Sequence, residues 1–495
     1  MNHCKHGRYE PSANDRRRWR LLLLALSLSS LVPFLTVGAR ADTPSAAFKS
    51  DTNPAQLSDP LTLGNSCSAG LCVTVDSGRP IESASHQATG LLHSMNGSSV
   101  DSVRLAQLGV TMWRSSDQDW TRGVTPWATA RSEDIPVTFV LSDKWSTDTR
   151  RRVTPWGDWT AYANWVTASV QQIARAGIQV DYWEVYNEPD MTDGSPILET
   201  STPDRLLTQF LVAYRAIKSV LPDARVIGPS LSTWLEKPTA HVYSMAQFIA
   251  YAAANDIALA ALSWHYNALN PGGVESQVAE ARALMADEPA LGQPKIFINE
   301  YGTEQTQRIP GWDVQYLAAL TAARVDAAGR SCWLSDCFTA VFDGLLGPDG
   351  SSTLPDYWVR ADYAQMTGTM VATSVSSDHA GALASLDITR SQLRVLLGYG
   401  KGCIQDPRCL SSTPWAVPSL PLITQVSIRV PWTFGHMVVQ KSRIEGMSIL
   451  PISEPETVSI GSLPIVIQSG IPTVTVNIDP VADGDAWSLT LTHTS

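Results

Sequence analysis

The chain has 495 residues, 44% hydrophobic and 17% charged, with a formal net charge of −11. That length is too great for one ordinary core but fits a barrel of about 250 residues with a second domain. The apolar share excludes a disordered chain, and the acidity argues against nucleic acid and anionic membranes, partners that need basic patches.

In chain order, the first feature is Arg16-Arg17-Arg18-Trp19-Arg20, then an apolar run from Leu21 to about Val37, then Ala39-Arg40-Ala41 before Asp42. A charged start, an apolar stretch and a small-residue cleavage site make residues 1–41 a signal peptide. Uncleaved, the run is nearly long enough to serve as a membrane anchor; the paired arginines also suit a twin-arginine route. The mature chain is expected outside the cytoplasm, secreted or periplasmic, with no stable membrane span. Cys4 leaves with the peptide, and the other six cysteines form three close pairs, Cys67/Cys72, Cys332/Cys337 and Cys403/Cys409. In an exported chain these are expected to close as local disulfides. They lack the Cys-x2-Cys spacing and partner ligands of a zinc site.

Residues 42–66 are rich in Ser, Thr, Pro and Asp and read as a leader. Leu71, Val73 and Val75 alternate with polar partners, which predicts a half-buried strand within 42–84. From 85 to 370 the pattern alternates between strand and helix. Strands are predicted over 90–93, 110–114, 137–142, 180–187, 225–229, 259–266, 295–300 and around 332–340. Helices are predicted over 158–176, from Thr202 as N-cap with Pro203 in the first turn, and over 313–328 up to Gly329. Eight strands alternating with helices predict an α/β fold, a (β/α)8 TIM barrel. A doubly wound sheet would have fewer strands and a glycine-rich first turn. From 371 to 495 the period becomes two, as in Val426, Ile428 and Val430, or Trp487, Leu489 and Leu491, which predicts a C-terminal antiparallel β-sandwich. The strand near Val73 is expected to complete it, so that both ends of the chain build one domain.

Two stretches carry the chemistry. Tyr182-Trp183-Glu184-Val185-Tyr186-Asn187-Glu188-Pro189-Asp190 reads as a strand stopped by Pro189, with Glu188 at its C-terminal rim beside the Asn187 amide. Ile296-Phe297-Ile298-Asn299-Glu300-Tyr301-Gly302 is again an apolar strand ending in a carboxylate. In a barrel both rims lie on the catalytic face, and two carboxylates across that face can cleave a glycosidic bond.

On these residues the chain resembles glycoside hydrolase clan A, whose members carry Asn-Glu-Pro on the fourth strand and a nucleophilic Glu on the seventh. Ser263-Trp264-His265-Tyr266 resembles the sixth-strand motif of glycoside hydrolase family 39, the family of β-xylosidases, α-L-iduronidase and bacterial exopolysaccharide hydrolases. The resemblance implies a carbohydrate substrate, no cofactor and no metal. It makes Glu188 the acid/base and Glu300 the nucleophile, with Arg114 steadying Glu300, Asn187 on the 2-hydroxyl, His93 on another sugar hydroxyl, His265 against Glu188, Tyr266 against Glu300, and Trp333 as a stacking platform. The implied activity is retaining hydrolysis; an inverting or transglycosylating relative, or a carbohydrate-binding protein without activity, are the alternatives. The 17 Trp fit sugar-stacking faces, although most are expected in the core. Gly398-Tyr399-Gly400-Lys401-Gly402 opens no helix and is a turn rather than a dinucleotide loop. Asp479, Asp483 and Asp485 around Gly484 lack EF-hand spacing and read as a solvated turn.

Overall fold

A computed structural model describes residues 70–92, 102–116, 126–142, 158–191, 201–332, 344–347, 349–401, 421–446 and 450–494. All belong to the second of two units, Met1–Asp59 and Pro60–Ser495. The expected signal peptide and leader, the 332–340 strand beyond Cys332, His93, Trp333, Cys67, Cys337, Cys403 and Cys409 lie outside the described residues. Cys72 and Cys332 are each disulfide-bonded. No helix among the described residues is long and apolar enough to cross a membrane.

After a first strand, β1 (Leu71–Ser83), eight strands close a barrel in chain order: β2 (Gly90–Leu92), β3 (Trp113–Ser116), β4 (Val137–Leu141), β5 (Tyr182–Val185), β6 (Val226–Leu231), β7 (Leu259–Tyr266), β8 (Lys295–Tyr301) and β9 (Ala327–Arg330). Every neighbouring pair is parallel, including β9 with β2. Met112, Tyr182, Ile227, Ala261, Phe297 and Ala327 come from six places around the barrel and pack together, so they fill its interior. Trp183, Val185, Leu262, Trp264 and Ile298, one residue out of phase, pack outward into the core shared with the helices. The eighth strand is therefore Ala327–Arg330, earlier than predicted, and the preceding helix stops sooner, at Pro310–Ala322. Ala-Ala-Gly-Arg has little strand preference, but the seam demands small residues. A Cβ on Gly329 would sit 2.7 Å from the Asn299 carbonyl oxygen, and one on Gly90 2.5 Å from that of Ala328.

Helices α1 (Ser102–Leu108), α2 (Pro126–Ser132), α3 (Trp159–Arg175), α4 (Pro203–Val220), α5 (Met245–Ala254), α6 (Gly273–Asp287), α7 (Pro310–Ala322) and α8 (Pro355–Ala364) alternate with the strands. Asp158 caps α3 by accepting from the Ala161 N–H at 2.8 Å, and Tyr162, Val166, Val170 and Ile173 form its buried stripe. Thr202 caps α4, with Pro203 in the first turn. Behind the β2 seam, Arg360 donates twice to Asp313, at 2.8 and 2.7 Å, and once to the Ala88 carbonyl at 2.8 Å.

The other strands are β10 (Thr369–Val375), β11 (Ala380–Leu386), β12 (Gln392–Tyr399), β13 (Leu422–Arg429), β14 (His436–Ile444), β15 (Glu456–Pro464), β16 (Val466–Gln468), β17 (Ile471–Val481) and β18 (Ala486–Thr494). With β1 they form one ten-stranded sheet, ordered β15-β14-β18-β12-β11-β10-β1-β13-β17-β16. β1 runs antiparallel to β10 and parallel to β13, so the N-terminal strand lies inside the sheet. The sheet folds over on itself. Lys441 Nζ on β14 donates to the Asn477 carbonyl on β17 at 3.1 Å, although strands seven places apart in a flat sheet would stand about 34 Å from each other. Val73, Val426 and Val476 from one half share a buried core with Leu393, Val395, Leu397, Met437 and Leu489 from the other.

The barrel and the sandwich meet at α7. A Cβ on Gly381 would lie 2.7 Å from Gln315 Cα, and one on Gly398 2.6 Å from the Gly311 carbonyl oxygen, so small residues let the helix lie against β11 and β12. The Gly311 N–H donates to the Gly484 carbonyl at 2.7 Å. The turn around Gly484 is not solvated, as the sequence had suggested. Asp483 and Asp485 are buried; Asp485 accepts from Arg443 Nε at 2.8 Å and the Gly446 N–H at 2.9 Å, and Asp483 from the Lys401 N–H at 2.8 Å.

Candidate active site

Arg114 stands at the centre of the site. It is the second residue of β3, not its last as expected, and points inward one layer above Met112. Its Nε donates to Glu184 Oε2 at 2.7 Å and its Nη2 to Glu184 Oε1 at 3.0 Å. Nη2 also reaches Asn187 Oδ1 at 2.6 Å and Ser230 Oγ at 3.4 Å, and Nη1 donates to Glu300 Oε1 at 2.6 Å. Burial opposes the Arg114 charge, but Glu184, Glu300 and Glu188 outweigh it and keep the guanidinium firmly protonated.

The strand ends depart from regular geometry to bring these groups together. On β5, Glu184 follows Tyr182 inward by the two-residue period. Tyr186 (φ 70°) and Glu188 (φ 48°) then adopt the left-handed conformation, as does Ser230 (φ 57°) on β6. Such residues cost about 1–3 kcal/mol each and persist only where the surroundings impose them. Here the Glu188 N–H donates to the Ser230 carbonyl at 2.9 Å, and Asp190 accepts from the Ser232 N–H at 2.8 Å and hydroxyl at 2.7 Å. On β8 the pairing slips between Ile298 and Tyr301, and opposite it between Trp264 and His265. An extra residue at such a bulge re-aims a side chain. Asn299 and Glu300, though consecutive, both face inward: Asn299 Nδ2 donates to Glu184 Oε1, while Glu300 meets Arg114.

His265 closes the arrangement. Its Nδ1 lies 3.1 Å from Glu188 Oε1 and 3.6 Å from Glu300 Oε2, and its Nε2 lies 3.4 Å from Ser230 Oγ. Burial disfavours its charge, but Glu300 and Glu188 outweigh burial and raise its pKa above the ordinary histidine value. One oxygen each from Glu188 and Glu300 and a ring nitrogen of His265 lie within 4.8 Å of one another. Three such atoms could ligate a metal, but the Arg114 guanidinium on Glu300 presents a cation where a metal needs free lone pairs. Arg114, Glu184 and His265 are at most 2% exposed, while Glu188 and Glu300 keep 16% and 14%, so of these five side chains the two carboxylates are the ones with accessible surface.

Of the residues singled out from sequence, Arg114, Asn187, Glu188, His265 and Glu300 converge. His93 and Trp333 lie outside the described residues. Tyr266 does not approach Glu300. One residue beyond His265, it falls on the outer face of β7, packs into the shared core, and donates its hydroxyl to the Asn270 carbonyl. Every Trp among the described residues is buried or half-buried. The sequence reading missed Glu184, Ser230 and Asn299. A charged residue between Trp183 and Val185 at inward period was a signal for the first; the other two gave none.

No protein-family model matches the chain, and no curated protein sequence matches it. Solved structures do. A protein from Neocallimastix frontalis superimposes with a TM-score of 0.68 at 19% identity, over 86% of this chain and 100% of that one. A monomeric β-xylosidase from Caulobacter crescentus gives 0.59 at 16% identity, over 86% and 100%. A family 39 glycoside hydrolase from Xanthomonas axonopodis gives 0.60 at 15%, over 86% and 97%. The likeness is one of fold. It takes in both the barrel and the sandwich.

Proposed function

We propose that the chain is a secreted retaining glycoside hydrolase, of the family 39 type within clan A, acting on a poly- or oligosaccharide. The observation that carries this is the pair of partly exposed carboxylates, Glu188 and Glu300, with oxygens no more than 4.8 Å apart and one of them held by a buried arginine. Carboxyl groups close together suit nucleophilic attack, whereas inversion needs about 6.5–9.5 Å to admit a water. The fold shared with a β-xylosidase and a family 39 enzyme supports the same reading.

Glu300 Oε2, the oxygen not bound by Arg114, attacks the anomeric carbon. The bond from that carbon to the leaving oxygen breaks, and the oxygen takes a proton from Glu188. Water, deprotonated by Glu188, then displaces Glu300 from the glycosyl-enzyme. Glu188 and His265 share the proton this requires: it rests on Nδ1 or on Oε1 and crosses a 3.1 Å bond between them. Asn187, with Nδ2 3.4 Å from Glu188 Oε2, is assigned to the sugar 2-hydroxyl, and His93 and Trp333 to the sugar, by the resemblance to clan A. The barrel is assigned 85–370, with β10 from Thr369 already in the sheet, and the sandwich 371–495 together with β1 from within 42–84. Residues 1–41 direct export, and Cys67–Cys72, Cys332–Cys337 and Cys403–Cys409 are the disulfides.

Aryl glycosides test the roles. Glu300→Ala abolishes turnover of every substrate. Glu188→Ala loses about 100- to 10,000-fold on poor leaving groups but retains glycosylation by a dinitrophenyl glycoside, and azide then restores turnover with retained configuration, read by NMR of the product. Equal loss on all leaving groups without azide rescue contradicts the assignment. Binding of oligosaccharides with no hydrolysis on any of a panel of polysaccharides would instead indicate a binding protein.

A further inference from the structure

We propose that Glu184 is a positioning residue that balances and aims Arg114, so that Glu300 is held in place yet remains reactive; this rests on the glycosidase reading above. Glu184 is fully buried and accepts both Nε and Nη2 of Arg114 along one edge of the guanidinium, at 2.7 and 3.0 Å. That leaves Nη1 as the donor to Glu300, at 2.6 Å and on one oxygen only. Glu184 Oε1 also accepts from Asn299, the residue before Glu300. One carboxylate on β5 thus ties down β3 and β8, the strands that carry the arginine and the nucleophile. The ionisable groups facing the pair are Glu188, Glu300 and His265 together with Arg114 itself; Asn187, Ser230 and Asn299 are neutral.

The balance of charge matters because the first step consumes the charge on Glu300. Its Oε2 bonds to the anomeric carbon while the leaving oxygen departs with its electron pair and takes the Glu188 proton. The carboxylate becomes a neutral ester beside Arg114. An arginine with no other counter-ion would resist that loss, because its attraction to Glu300 exists only while Glu300 is charged. Glu184 satisfies Arg114 in both states and so weakens the penalty. The second step runs the other way: breakdown of the ester restores the Glu300 charge, and an unbalanced Arg114 favours it.

A shape-conserving substitution separates the steps. Glu184→Gln removes the counter-charge, and Arg114 is expected to turn its two-donor edge onto Glu300. On a dinitrophenyl glycoside, where breakdown of the glycosyl-enzyme limits kcat, kcat/KM falls about 10- to 100-fold. Meanwhile kcat is spared, and the acidic limb of the kcat/KM profile moves to lower pH by about one unit. Glu184→Asp keeps the charge and restores the acidic limb. A crystal structure of Glu184→Gln shows Arg114 bound to both Glu300 oxygens. Should that variant lower kcat and kcat/KM alike, with an unmoved acidic limb, or should Arg114 stay in place in its crystal structure, Glu184 serves only the fold and the proposal fails. If the wild type hydrolyses no glycoside, the reading as a glycosidase fails instead, and the crystal structure still decides whether Glu184 aims Arg114.

Discussion

His265 is fully buried, and the two carboxylates beside it favour its charged form. Its folded pKa lies above the unfolded value because Glu300 and Glu188 together exceed the burial penalty. A raised histidine pKa contributes stability that is fully present below the unfolded value, about 6.5, and is lost as pH rises through the folded one. The melting temperature of the wild type should therefore exceed that of His265→Gln most clearly near pH 5.5. The gap should narrow at higher pH; a constant gap across the range would mean that His265 is neutral. Single residues also mark where sequence reading stops. Glu188, Glu300, Arg114 and His265 were legible because a polar residue near the end of an apolar strand has few structural uses. Tyr266 was misplaced because the motif was read without its alternation: whatever side His265 faces, Tyr266 faces the other. Asn299 needed a bulge that no local signal announces.

Among the elements, β9 was the hardest to find. Its composition, Ala-Ala-Gly-Arg, reads as helix by propensity, and only its place between β8 and β2 makes it a strand. The same crowding makes it intolerant. Gly329→Ala puts a methyl 2.7 Å from both the Asn299 carbonyl oxygen and Leu92 Cδ1, and should destabilise the protein by about 1–3 kcal/mol in urea unfolding. Because the displaced backbone carries Glu300, activity should fall even where the variant is fully folded; a stable variant with wild-type rates would show that the seam can relax. The α3 helix, by contrast, was legible up to its end at Gly177 and α4 from its Thr202 cap, since a buried stripe of period 3.6 and a side-chain cap are both local.

For the whole molecule, the alternation of strands and helices gave the barrel, and the change of period gave the sandwich. The joining of β1 to the C-terminal strands was legible only as an expectation, since pairing across some three hundred positions leaves no local trace. The barrel also does not stand free: α7 is sandwiched between barrel core and the β11–β12 part of the sheet, with Trp312 and Leu317 enclosed. A fragment limited to 85–370 should aggregate or melt without cooperativity, whereas the full chain should show one calorimetric transition. A soluble, cooperatively melting fragment would show that the barrel is self-sufficient. The position of β1 also sets a timetable. Val73 pairs with Val375 and Val426, so at ribosomal rates of about 5–20 residues per second the strand waits roughly 15–60 s for its first partner. Throughout that delay an apolar, β-prone segment is without its sheet, and a holding chaperone has its natural point of attachment there.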